Sequence, residues 1–150
     1  MRRRWVGAMV LAVALSSCGG DDALAPDPSL ARFVGDWRAT SLVIASPLAP
    51  DFSVDLIELG ASFDLNIQPS GYYTAILVFA GQAQTEMGLI SLSGPSAVIL
   101  DRQFPTPSRD ISTFVFEGPD RLILDGDTEF DFNLDGTSEP ATAHFDLQRR

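Results

Sequence analysis

Two-residue alternation constrains this chain more than any other feature of its sequence. Across residues 62–68 the apolar Phe63, Leu65 and Ile67 alternate with Asp64, Asn66 and Gln68. That period puts all three apolar side chains on one face of a strand, whereas a helix would scatter them. Pro69-Ser70-Gly71 follows, which is turn chemistry rather than helix capping, and residues 72–79 resume with β-branched and aromatic side chains. Residues 36–44, 85–93, 96–101, 111–117, 121–125 and 141–148 repeat the rhythm between Gly- and Pro-containing breaks. Eight strands with short connections predict an all-β chain forming a single eight-stranded up-and-down antiparallel barrel. A two-sheet β-sandwich is the alternative, because strand spacing alone does not separate the two. The one candidate helix is 51–60, where Val54, Ile57 and Leu59 could cover an opening; a loop is the other reading.

The N-terminus has a different organisation. Arg2-Arg3-Arg4 is a basic segment, and residues 5–15 carry no charge. That run is shorter than the roughly 20 apolar residues a spanning helix needs, and it has the length of a signal-peptide core. Leu15-Ser16-Ser17-Cys18 closes it and resembles the bacterial lipobox. The resemblance implies cleavage before Cys18 and a diacylglycerol on its thiol. Cys18 is the sole cysteine, so no intramolecular disulfide can form. The expected organisation is a signal peptide at 1–17, a lipidated flexible tether at 18–30 rich in Gly, Pro and Asp, and a barrel domain at 31–150. The destination is the cell envelope, held to a membrane by the lipid. Gly19, where an inner-membrane retention signal would have Asp, points to the outer membrane.

At the start of the first predicted strand stands Phe33-Val34-Gly35-Asp36-Trp37. It resembles the glycine-x-tryptophan opening motif of lipocalins and their short bacterial lipocalin-like relatives. The resemblance implies that Gly35 lets the chain turn into the strand and that Trp37 plugs the closed end of a barrel. It also implies a basic residue near the end of the last strand packing across the indole. Arg149 stands there, with Arg150 as the alternative, and a cation–π contact is the physical reason. The domain is short for the family and lacks its long C-terminal helix, which weighs against a deep cavity.

Charge narrows the partners. Without the leader the chain holds seven arginines, no lysine and 20 acids. That balance repels nucleic acid and anionic headgroups, whose phosphates require cations. Residues 125–139 are the most acidic stretch, and Asp131-x-Asn133-x-Asp135-Gly136 has the spacing of the first half of a calcium-binding loop. Thr137 would add a carbonyl oxygen and Glu139 a carboxylate, while Thr142 occupies the position where a bidentate Glu is expected. The other reading of Asp135-Gly136 is a tight hairpin turn with solvated acids. If Trp37 closes one end, strand parity brings this loop to the other end, beside 51–60 and 102–110. Arg102 and Arg109 are then candidates to hold an anionic ligand end, or else to form surface ion pairs.

Catalytic chemistry finds no arrangement to use, and the chain is expected to be non-enzymatic. His144 is the only histidine and falls on the polar face of its strand. No G-x-S-x-G elbow occurs, and there is no His/Cys cluster for zinc. Two functions remain. One is a carrier whose barrel binds a small apolar or amphipathic ligand; the other is a structural or interaction module with a packed barrel and an acidic, calcium-stabilised loop. Inward aromatics such as Tyr73, Phe79, Phe114 and Phe116 fill a barrel of this size more often than they line a cavity.

Overall fold

The computed structural model describes residues 25–133 and 135–150. The leader, Cys18 and most of the tether lie outside the described residues. A 3-10 turn at Pro28–Leu30 precedes nine strands: β1 Gly35–Ser46, β2 Ala49–Asp55, β3 Ser62–Ile67, β4 Tyr72–Phe79, β5 Gln82–Leu92, β6 Ala97–Phe104, β7 Ser108–Phe116, β8 Arg121–Phe130 and β9 Glu139–Arg149. All neighbours pair antiparallel, in the order β2-β1-β3-β4-β5-β6-β7-β8-β9, and β1 also pairs with β9. That last ladder, from Trp37↔Arg149 to Ala45↔Thr142, closes eight strands into an up-and-down barrel and leaves β2 as an extra strand. The fold is thereby the expected closed barrel and not the alternative β-sandwich.

β1 is long enough to serve two partners on one side. Its first residues pair with β3 (Gly35↔Ile67 to Arg38↔Asp64), and its last pair with β2 (Val43↔Asp55 to Ser46↔Ala49). The helical reading of 51–60 is therefore incorrect, and the loop reading holds only for 56–60, which form a turn. Residues up to Asp55 extend β1 as a hairpin, and Asp55 then ends the strand. Its carboxylate accepts hydrogen bonds from Ser41 Oγ at 2.6 Å, Leu42 N at 3.1 Å and Ile57 N at 2.9 Å. Those bonds tie the following turn back to β1, and they take the Ile57 N–H that a helix would have bonded within the segment. Of the residues proposed to cover an opening, Val54 and Ile57 do pack on core side chains, whereas Leu59 is exposed.

A register shift between Ala39 and Ser41 changes which β1 residues face inward. Trp37 and Ala39 are buried before it, Leu42 and Ile44 after it. The extra residue keeps apolar side chains inside along the twelve-residue strand. The interior has two storeys. The lower one gathers Leu30, Phe33, Trp37, Ile67, Val98, Leu122 and Leu147, and the upper one Leu42, Ile44, Leu56, Ala141 and Ala143. Leu30 is buried against the lower storey, and Asp27 caps the turn before it by accepting from Ser29 N at 2.9 Å.

The barrel wall is not continuous. β7–β8 pairing ends at Ser112↔Gly126, although β7 begins at Ser108 and β8 continues to Phe130. β8 instead stays paired with β9 up to Phe130↔Glu139. The β2-β1-β9-β8 side of the rim consequently stands taller than the rest.

Candidate ligand cavity and rim

The closed end positions everything above it. The Trp37 indole N–H donates to Phe33 O at 2.7 Å, and the ring has no solvent exposure. The Arg149 guanidinium lies 4.1 Å from the centre of that ring. It also donates to Val34 O at 2.6 Å and Arg32 O at 2.8 Å, so one side chain satisfies the carbonyls of the entering chain. Gly35 makes this approach feasible. Its φ is +133°, and a Cβ there would stand 2.6 Å from Arg149 Nη1. Arg150 is turned elsewhere, 3.5 Å from Asp64. Phe33 meets Phe114 and Phe116 edge-on, with ring centres 4.9 and 4.8 Å apart, and completes the floor.

Above the floor lies an interior cavity of about 110 Å³. Phe63, Leu65, Leu100, Leu124 and Phe145 make most of its wall; Tyr73, Glu86 and Ser112 supply polar atoms. Glu86 sits opposite buried Ala75, on the inward face of β5. Arg102 Nη1 donates to Glu86 Oε1 at 2.7 Å, and Arg102 Nε donates to Thr106 O at 2.9 Å. The bond to Glu86 holds the Arg102 pKa above its ordinary value. Burial, reinforced by the negative charge of Glu86, pushes the Tyr73 phenol up to about 12. The Tyr73 hydroxyl is therefore a neutral donor at physiological pH.

The two arginines singled out in sequence do not form one site. Arg102 pairs with Glu86, a residue of the cavity wall, whereas Arg109 is 66% exposed beside Asp101, at 3.6 Å, on the outer face. Their ion-pair partners are Glu86 and Asp101, not the acids of 125–139. His144 is also outside, with Nδ1 2.6 Å from Asp125 Oδ1.

Between β8 and β9 the acidic loop folds on its own carboxylates. Asp131 accepts from Asp135 N at 3.2 Å and Gly136 N at 2.8 Å, and Asn133 Oδ1 also accepts from Asp135 N, at 2.9 Å. Asp135 accepts from Thr137 N at 2.8 Å, and that bond lowers its pKa. Glu139 accepts from Phe132 N at 3.1 Å. One carboxylate oxygen from each of Asp131, Asp135 and Glu139 can be chosen so that all three lie within 4.8 Å of one another. The loop meets the β1–β2 hairpin through Phe52 and Phe132, whose ring centres are 5.5 Å apart.

Sequence reasoning missed Glu86 and Ser112. A signal was present for both: Glu86 shares its strand face with Gly88 and Ile90, and Ser112 shares its face with Phe114 and Phe116.

No family model matches the chain, and no curated protein matches it. Among solved structures the chain is similar to a redesigned β-barrel, at 12% identity and a TM-score of 0.48, over 80% of this chain and 93% of that one.

Proposed function

We propose that the chain is a lipid-anchored envelope lipoprotein, lipocalin-like in kind, whose barrel binds a small ligand with an apolar body and a polar end. The interior cavity of about 110 Å³ carries this reading, since a few polar groups converge there on an otherwise apolar wall. Its size limits the enclosed part of the ligand. An apolar cavity of about 150 Å³ holds benzene, and drug-sized sites begin near roughly 300 Å³. The enclosed body is thus no larger than a single ring or a short branched chain. Its polar end lies toward Glu86 and Arg102, whose side chains are 44% and 28% exposed and so reach water. No group in this reading performs catalysis.

Anchoring fits the direction in which the chain leaves the barrel. Asp27 N donates to Pro69 O at 2.8 Å, in the β3–β4 connection at the closed end. A lipid on Cys18 then holds the closed end toward the membrane and turns the rim away from it. Fatty-acid labelling that Cys18→Ala abolishes is the expected result.

The cavity is tested with benzyl alcohol and benzoate by ligand-observed NMR, alongside native mass spectrometry of the full chain. Saturable binding of at least one probe, lost in Ala75→Leu, is expected because the added carbons enter the cavity. A bare protein mass together with no probe binding overturns the carrier reading.

One observation favours a second reading, a packed module with a calcium-stabilised loop. Oxygens held roughly 2.4 Å from one calcium ion lie at most about 4.8 Å apart, and those of Asp131, Asp135 and Glu139 meet that condition. Asn133 and Thr137 would have to complete the set. A calcium titration by calorimetry, repeated on Asp131→Ala, decides it.

A further inference from the structure

The seam between β7 and β8 leaves strand edges open above Ser112↔Gly126. Among the described residues no register joins 108–111 to 127–130, although both segments are extended. Ladder parity identifies the backbone groups that face the gap. Arg149 N donates to Asp120 O at 2.8 Å, so even-numbered β8 residues exchange bonds with β9 and odd-numbered ones turn toward β7. Phe114 N donates to Ser96 O at 2.9 Å, which by the same alternation turns odd-numbered β7 residues toward β8. The N–H and C=O of Glu129 consequently point into the gap. On the outer side of the seam runs a groove of about 380 Å³, lined by Ile111, Thr113, Asp125, Asp127, Thr142 and His144.

We propose that this seam docks an extended basic peptide segment of another protein, which adds as a strand along the β8 edge. An open edge supplies main-chain bonds to such a segment, and alternate side chains supply the selectivity. Charge selects the occupant. Asp125, Asp127 and Glu129 occupy successive outward positions of β8. The basic side chains nearby are His144, already hydrogen-bonded to Asp125, and Arg109, already beside Asp101. A second copy would bring the same carboxylates against themselves, and like charges directly opposite destabilise a strand pair. A segment with Lys or Arg at every second residue sets cations beside Asp127 and Glu129. Its intervening apolar residues then face inward, on the side of Thr128 and Phe130. The proposal is independent of any ligand inside the barrel.

The test measures binding of acetyl-Lys-Val-Lys-Val-Lys-Val-Lys-amide to the full chain by calorimetry, with amide exchange at Glu129 read by NMR. Glu129→Pro removes an edge N–H while sparing the even-numbered bonds to β9. Binding at least tenfold weaker in Glu129→Pro and in Asp127→Lys is expected, with Glu129 exchange slowed by peptide and no binding when Glu replaces each Lys. If Glu129→Pro does not fold, N-methylation of alternate peptide residues replaces it, and one of the two phases must abolish binding. Three results overturn the proposal. They are no saturable binding, binding that Asp127→Lys removes but ladder blocking leaves intact, and a dimer of the free chain that ladder blocking dissolves.

Discussion

At the closed end of the barrel, Trp37 is buried on every side, and a single arginine both stacks on it and takes up two carbonyls of the entering chain. At the rim, Asp131, Asp135 and Glu139 bond amides of their own loop, and aromatic contacts such as Phe52–Phe132 join neighbouring hairpins. One end is held chiefly by Arg149 bonds to residues more than a hundred positions away, around an indole shielded from water. The other is held largely by groups a few residues apart and exposed to it. Interactions of the first kind exist only in the folded chain, so they stabilise it cooperatively. Those of the second kind can persist in a partly unfolded loop and contribute less. The closed end is therefore the anchor of stability, and the rim is the part free to vary with ligand or ion.

The sharpest way to break this contrast is at Trp37. Trp37→Ala removes a fully buried indole, and a loss of about 3–5 kcal/mol is expected from urea unfolding. A loss below about 1 kcal/mol would mean that the two ends do not differ as described. Arg149→Ala comes next, with a loss of about 1–3 kcal/mol, because the carbonyls of Arg32 and Val34 lose their donor and the indole its cation.

Asp55 tests the side toward the rim through pH. Burial opposes its charge, yet the bonds from Ser41, Leu42 and Ile57 outweigh that effect and lower its pKa. A carboxylate lowered in the folded state contributes stability above its unfolded value of about 3.9 and loses it as pH falls through the folded value. Asp55→Ala should cost about 1–2 kcal/mol at pH 7, with the difference in Tm from the parent chain shrinking below about pH 4. A difference that stayed constant down to pH 2 would contradict the assignment. The smallest effect belongs to the acidic loop. Asp131→Ala should change stability by no more than about 0.5 kcal/mol without calcium. In the calcium reading, millimolar calcium raises the Tm of the parent chain and leaves that of Asp131→Ala unmoved.

The eight barrel strands were legible because each buries one face, and burial imposes a period of two on the residues. β2 was not legible for the same reason. It pairs only with β1, exposes Asp51, Phe52 and Ser53, and carries Pro50, so nothing imposed alternation on it. β8 reaches Phe130 instead of ending near Asp125, because Gly126, Thr128 and Phe130 continue the inward face behind the outward acids Asp127 and Glu129. Leu30 was assigned to the tether from the Gly, Pro and Asp around it, whereas its burial under the barrel is a fact of packing.

The residues by themselves determined the class of fold, the strand count of the barrel and the face of nearly every strand. Those depend on local periodicity, which is written along the chain. Only the tertiary structure decided that Arg102 pairs with the cavity-lining Glu86 while Arg109 faces outward, and that β7 and β8 part above Ser112 and Gly126. Such features depend on register between segments distant in sequence. A shift of one residue in register turns a side chain from the inside of a barrel to the outside, and no local pattern records it.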